Sequence, residues 1–377
     1  MPTAAHQERF SLRVDRLPMD NPGDLSGLAA LLREGIVQAD NVVAVIGKTE
    51  GNGGVNDFTR GYFTQSLMQL LAQSTGRTPA DLIRSVPCVL SGGTEGVLSP
   101  HYVVFSRSRS NELPLPGGGL AIGTAIGKPL PAHEIGRWTH VRSVADTVQR
   151  AMAAAQLEKA ADVTFVQVKS PCVTSARAQA ASRAGHTVLT ADPGRSMAYA
   201  RAAGAFGVAV ALGELPDDQD LHRALLADFS ITCHRASISS GIEVEADEVI
   251  LLGHSRAWGG NLRMGCAPMA DALDISAVDA ALLQVGLRAA PQLSAADRGR
   301  LAAVFVKCEP DRRGTVRGAR HTMLDDIDIN PQRHIRCAVG GLVAGVLGDT
   351  RLFVSGGAEH QGPDGGGLIA VIAQAAP

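Results

Sequence analysis

The run V42-V-A-V-I-G-K48 returns as V163-T-F-V-Q-V-K169 and again as A302-A-V-F-V-K307. Each is a stretch of strand length, rich in β-branched and aromatic residues, closed by one lysine, so each predicts a buried strand that delivers an ammonium at its end. The chain has five lysines against 30 arginines, and three of the five sit in these runs. A lysine kept where arginine is the rule points to chemistry that a guanidinium does not perform, because a desolvated ammonium gives up its proton readily.

Two further elements follow each lysine in the same order. Arg60, Arg201 and Arg336 each open a segment that is apolar at offsets seven and eleven: Leu67 and Leu71, Val208 and Leu212, Val343 and Leu347. That spacing keeps the pairs on one helix face. Arg333 rivals Arg336 for the third position, but Arg336 gives the matching offsets. Next comes S-x-G-x-E, found as S91-G-G-T-E95, S239-S-G-I-E243 and S355-G-G-A-E359. Each lies between apolar runs, as expected of strand, Ser-Gly turn, strand.

The residues thus describe an α/β protein of three similar repeats with internal pseudo-three-fold symmetry. The units fall at 1–110, 117–257 and 264–377, joined by P-L-P-G-G-G (114–119) and W-G-G-N-L-R (258–263). Helices such as Ser143–Leu157 and Ser276–Leu287 are expected to cover the outside.

Bulk properties exclude several classes of function. A net charge of -2 and 4% aromatic residues give neither the field nor the stacking platforms for nucleic acid. The longest apolar stretches, 202–212 and 337–347, are too short to span a membrane. Met1 to Asp20 lacks an apolar core flanked by positive charge, so no secretory signal is expected. Six cysteines without a C-x-x-C pair read as free thiols in a reducing cytoplasm. V-I-G-K48-T lacks the first glycine of a phosphate loop, since Val42 stands there, and P-G-G-G-L-A-I-G-T lacks the order of a dinucleotide loop. No H-x-x-x-H or H-E-x-x-H pair suggests catalytic zinc.

Three lysines, arginines and serines converging on an axis would line a pocket for a small molecule bearing several carbonyl oxygens. A lysine of lowered pKa can activate a serine for acyl transfer, and N–H groups of the Ser-Gly turns can hold the oxyanion. Taken singly these features are ordinary. A Ser-Gly-Gly is usually a plain turn, and a strand-end lysine is usually exposed to solvent. The triple recurrence argues for a site, although duplication by itself proves shared ancestry and not catalysis.

K48-T-E-G-N-G-G-V-N-D-F-T-R60-G, S91-G-G-T-E-G-V-L-S-P-H, H-R-A-S-I-S239-S-G and S355-G-G-A-E-H-Q-G-P-D-G-G-G resemble the cyanuric acid hydrolase/barbiturase family of ring-opening amidohydrolases over nearly the whole chain. The resemblance implies three repeats around a central β-barrel-like core, with one active site on the pseudo-three-fold axis. It implies Lys-Ser pairs at Lys48 and Ser91, Lys169 and Ser239, Lys307 and Ser355, with Lys169 as base and Ser239 as nucleophile. Arg60, Arg201 and Arg336 would bind ring oxygens, assisted by Ser91, Gly92, Ser240, Ser355 and Gly356. Ser240 stands where the other two copies have glycine, a break in symmetry at the pair assigned to the chemistry.

The reaction implied is opening of cyanuric acid to carboxybiuret and then biuret, with barbituric acid as the alternative substrate and a non-catalytic small-molecule binder as the alternative class. The resemblance further implies no organic cofactor and a homotetramer. It also implies a structural Mg2+ or Ca2+ on Glu309 and the carbonyls of Ala358, Gln361, Gly362, Pro363 and Gly366.

Overall fold

All three lysine runs are central strands. The computed structural model describes residues 9–376. Its principal strands fall into three sets of four. The first set is β1 (Arg9–Pro18), β2 (Val42–Thr49), β3 (Cys88–Gly92) and β4 (His101–Ser110). The second is β5 (Gly119–Ile126), β6 (Val163–Pro171), β7 (Ala236–Gly241) and β8 (Glu248–Ser255). The third is β9 (Leu262–Met269), β10 (Leu301–Cys308), β11 (Phe353–Gly356) and β12 (Gly367–Gln374). The sheet orders are β3-β2-β4-β1, β7-β6-β8-β5 and β11-β10-β12-β9. In each sheet the lysine strand pairs in parallel with the serine strand and antiparallel with the strand that follows it.

Parallel neighbours cannot be joined by a tight turn; they need a crossover, usually a helix. The arginine segments supply it. They are α2 (Phe58–Thr75), α5 (Pro193–Ala211) and α7 (Pro331–Leu347), with α1 (Ser26–Arg33), α3 (Trp138–Ala154), α4 (Ser175–Arg183) and α6 (Ile275–Gln284) as the other principal helices. Side chains cap the three crossover helices: Asp57 accepts from Thr59 N, Asp192 from Arg195 N and Asn330 from Gln332 N. Proline at the first position of α5 and α7 supplies the φ that a helix start needs. The order lysine, arginine, serine is therefore a strand–helix–strand unit, and both polar residues sit at the carboxyl ends of parallel strands, where such folds place ligands.

Period-two alternation sorts the side chains. Ala303 and Phe305 of β10 join one core shared by all three sheets, whereas Val304 and Val306 face a separate core under α6 and α7. Ala44 and Ile46 of β2 enter the shared core and Val45 packs under α1 and α2. Phe305 lies at the centre, with its ring 5.5 Å from Phe165, 6.0 Å from Phe353 and 6.5 Å from Phe105. Continuing the alternation puts Lys48 and Lys307 on the inner face too.

Several expectations need correction. The strands do not close into a barrel. The three sets meet through side chains such as the Phe305 cluster, and strand pairing stays within each set apart from short bridges at 258–260. The stretch 258–263 is no loose joint. Trp258 is fully buried, lies tilted against Phe10 with ring centroids 5.5 Å apart and donates to Ala155 O, while Leu262 already begins β9. Arg201 lies midway along α5, because the Asp192-Pro193 cap starts that helix earlier than the apolar spacing suggested. The outer helices run 138–154 and 275–284, starting ahead of Ser143 and Ser276. Residues 1–8 of the first expected unit and Pro377 of the last lie outside the described residues. Among the described residues no helix is long and apolar enough to cross a membrane.

Candidate active site

Strand register aligns each expected pair. Lys48 stands beside Ser91, Lys169 beside Ser239 and Lys307 beside Ser355. The three strand ends converge, so a cavity of about 370 Å3 collects Ser91, Ser239 and Ser355, then Gly92, Ser240 and Gly356, and all three arginines. Of the lysines, only Lys169 lines it. Lys48 and Lys307, which the resemblance would also place against the substrate, lie behind their serines. Lys48 Nζ donates to Ser91 Oγ (3.3 Å) and Gly92 O (3.2 Å). Lys307 Nζ donates to Ser355 Oγ (3.1 Å), Gly356 O (3.1 Å) and, across the sheets, Ile238 O (2.7 Å).

The Lys169 pair departs from this pattern. Lys169 Nζ lies 2.6 Å from Glu243 and donates to Leu90 O at 2.9 Å, with no hydrogen bond to Ser239. Ser239 Oγ instead shares a hydrogen bond with Ser355 Oγ at 3.2 Å. Behind Lys169, Ser170 donates to Asp247, which also meets His140 Nε2 at 3.0 Å, and this buried network fixes the end of β6.

Burial lowers the pKa of all three lysines. For Lys48 the Arg336 guanidinium adds to a fall well below the ordinary value. For Lys307, burial and then Arg201 bring it to about 7. Lys169 is lowered by burial, with Glu243 opposing and Arg60 assisting. Three buried amines beside guanidinium groups are the arrangement that frees a lysine to act as a base at neutral pH.

Sequence reasoning missed the partners of the arginines. Arg336 forks onto Glu95 at 2.9 and 2.5 Å, and Arg201 onto Glu359 at 2.7 and 2.6 Å. Arg60 meets Glu243 through Nε at 3.3 Å and gives a terminal nitrogen to Gly54 O at 2.8 Å. Each arginine faces the glutamate that follows the serine strand of a different sheet, and Arg201 and Arg336 are held by theirs through forked hydrogen bonds. The signal was present, since these are the E positions of S-x-G-x-E. Gln332, Asn330, Asn52 and Met197 also line the cavity, and nothing in the sequence singled them out. Arg333, the rival third arginine, lines it as well, 3.3 Å from Glu95.

The glycines of the motif have a steric cause. A Cβ on Gly92 would overlap the Asp57 carboxylate, and one on Gly356 would meet Gln332 at 2.7 Å. Gly93 (φ +102) and Gly357 (φ +75) adopt left-handed backbone that favours glycine, whereas Gly241 does not. The second turn is therefore differently shaped, and it is the one carrying Ser240.

Glu309, at the end of β10, accepts from Arg312 at 2.8 and 2.7 Å, and burial together with nearby Glu359 pushes its carboxyl up to about 7. The carbonyls of Ala358, Pro363 and Gly366 each accept one backbone N–H, from Gln361, Gly366 and Glu309. Glu309 and these carbonyls are hard oxygens, the ligand type of Mg2+ or Ca2+, and Glu309 already carries Arg312 as its counter-cation. Among the described residues no group of three His, Cys, Asp or Glu side chains is placed to hold a metal.

Fold and cavity define a hydrolase-type site: serine hydroxyls, a desolvated amine and guanidinium groups converging at strand ends. Residues 13–374 match the family described as amidohydrolase ring-opening protein, and the chain belongs to it. It is 46% identical over 361 residues to the cyanuric acid amidohydrolase of Azorhizobium caulinodans, covering 96% of this chain and 98% of that protein. With the cyanuric acid amidohydrolase of Bradyrhizobium diazoefficiens the identity is 47% over 367 residues, covering 97% and 98%. A solved cyanuric acid hydrolase structure, described as an innovation by structural concatenation, superposes with TM-score 0.93 at 42% identity, covering 97% of this chain and 100% of that one. The solved cyanuric acid hydrolase of A. caulinodans gives 0.89 at 45% identity, covering 98% and 100%.

Proposed function

We propose that this chain opens the ring of cyanuric acid by hydrolysis, giving carboxybiuret, which loses carbon dioxide to leave biuret. The observation that carries the reading is the single cavity in which three serines, three arginines and Lys169 converge. Its near-repeated lining suits a ring with three equivalent carbonyls. The names of the relatives support the same substrate.

In this reading Ser239 Oγ attacks a ring carbonyl and its proton passes to neutral Lys169. Arg60, Arg201 and Arg336 hold the ring oxygens, with Ser91, Ser355, Ser240 and the amides of Gly92 and Gly356 adding donors. Lys169 returns the proton to the leaving ring nitrogen as the C–N bond breaks. Water then attacks the acyl-serine as Lys169 takes its proton, and Lys169 hands that proton to Ser239 Oγ as the acyl C–O bond breaks, which restores the hydroxyl and the neutral amine. Lys169 is favoured as base because it alone of the three lysines reaches the cavity. It reaches Ser239 by turning from Leu90 O while staying beside Glu243, which suits a hydrogen bond that tightens only with substrate in place.

The proposal extends to architecture. Units 1–110, 117–257 and 264–377 are read as repeats about a pseudo-three-fold axis through the cavity, supported by the identical strand orders. Mg2+ or Ca2+ held by Glu309 and the carbonyls of Ala358, Gln361, Gly362, Pro363 and Gly366 would stiffen the loop that carries Glu359. A homotetramer in a reducing cytoplasm follows from the family likeness and the unpaired cysteines, and sedimentation of the purified protein tests the assembly.

The deciding experiment supplies cyanuric and barbituric acids in parallel to wild type and to Ser239→Ala. The expected result is biuret from wild type, with binding but no turnover by the variant. No turnover of cyanuric acid by wild type would overturn the function, and an active Ser239→Ala would overturn the nucleophile.

A further inference from the structure

Glu243 is the one member of its trio not committed to an arginine. Glu95 and Glu359 each fork onto a guanidinium through both oxygens. Glu243 lies 3.3 Å from Arg60 Nε but only 2.6 Å from Lys169 Nζ, and both of its oxygens lack any other hydrogen-bond partner. Arg60 is free to release it because its terminal nitrogens go to the Gly53 and Gly54 carbonyls. The differently shaped Gly241 turn aims Glu243 at the amine, and that amine is the one lysine lining the cavity.

We propose that Glu243 is a positioning residue of the reaction, the third member of a Ser239–Lys169–Glu243 relay that holds Lys169 and the positive charge it acquires from the Ser239 proton. This rests on Ser239 as nucleophile and Lys169 as base. The proton leaves Ser239 Oγ as the O–C bond forms, stays on Lys169 against the carboxylate, and passes to the ring nitrogen as the C–N bond breaks. Glu243 ends each cycle as it began.

The other groups facing the pair are Arg60, Glu248, Cys88 and Cys172; of these the Arg60 guanidinium lowers the pKa of Lys169 and Cys172 raises it. Removing the Glu243 charge leaves Arg60 unopposed, so Lys169 would lose its proton at lower pH. Catalysis that requires the neutral amine then begins at lower pH, but with a weaker and less well-held base.

The test is the pH dependence of kcat/KM on cyanuric acid for wild type, Glu243→Gln, Glu243→Asp and Glu95→Gln, each checked for folding by thermal melting. Substrate ionisation is common to all four and cancels in the comparison. Glu243→Gln is expected to move the acidic limb down by about one to three pH units and to lower kcat, the size of effect a charge at this distance has. Glu243→Asp, whose carboxylate is withdrawn by one methylene, moves the limb the same way by less, and it carries the test if the glutamine variant does not fold. Glu95→Gln raises KM and leaves the limb in place. An unmoved limb with raised KM in both Glu243 variants would overturn the relay. Activity retained by Ser239→Ala would instead overturn the underlying assignment, whatever the limb does.

Discussion

Replacing Glu95 by glutamine asks how much the arginine clamps contribute. The Glu95 side chain is only 9% exposed, forks onto Arg336 at 2.9 and 2.5 Å, and also faces the half-exposed Arg333 at 3.3 Å. Two opposite charges about 4 Å apart at an effective dielectric constant of about 20 attract by about 4 kcal/mol. Glutamine keeps one accepting oxygen but not the charge, leaving two guanidinium groups to repel each other. Breaking a buried pair from one side costs about 3–5 kcal/mol. For a chain of 377 residues, unfolding entropy scaled by length converts that into a Tm about 4–6 °C lower. Arg336 also loses its fixed orientation toward the cavity, so KM for cyanuric acid should rise about tenfold or more, with kcat changed less. Differential scanning calorimetry and steady-state kinetics read the two effects. A Tm within 1 °C of wild type together with an unchanged KM would refute the reasoning.

Further expectations follow from other sites. Burial pushes the Glu248 carboxyl up to about 8 while it accepts from Cys88 N, so the stability it contributes is present below its ordinary value of 4.5 and is lost as pH rises through 8. That loss is about 5 kcal/mol, and Glu248→Gln should melt higher than wild type at pH 8 but not at pH 4.5; equal differences at both would count against it. Gly92→Ala should abolish turnover and lower Tm, because its methyl would collide with the Asp57 carboxylate that caps α2; a normally active variant would contradict that packing. Cys337 is the one exposed thiol among the described residues, so a thiol reagent should label one site rapidly, and Cys337→Ser should remove that phase. Phe305→Ala, at the meeting point of the three sheets, should cost about 3–5 kcal/mol by denaturant titration.

What was legible in the sequence was whatever recurs or alternates. The lysine runs announced β2, β6 and β10 because a buried strand must be apolar almost throughout, and the serine motifs announced β3, β7 and β11. Their order implied the helical crossover without any contact being known. The sequence did not disclose where helices start when a cap precedes the apolar stripe, as Asp192 does for Arg201, nor that Trp258 ties a supposed joint into the core. Closure into a barrel was inferred by likeness, whereas side-chain packing between separate sheets leaves no period in the sequence to read. The glutamates were visible as letters in a motif, but their partners lie 158 to 241 residues away for Glu359 and Glu95, and only the fold brings them together. The distinct environment of Lys169 was equally hidden, because its register with Ser239 matches the other two pairs.

The arginine–glutamate contacts run in a circle. Arg60 on α2 leans on Glu243 after β7, Arg201 on α5 on Glu359 after β11, and Arg336 on α7 on Glu95 after β3. No single sheet owns a finished binding site, so an isolated unit would carry a loose, uncompensated guanidinium where a clamp should be. Activity thus reports assembly of the whole chain: a cut in the 111–118 connection should be tolerated when both pieces are made together, while either piece alone should be inert.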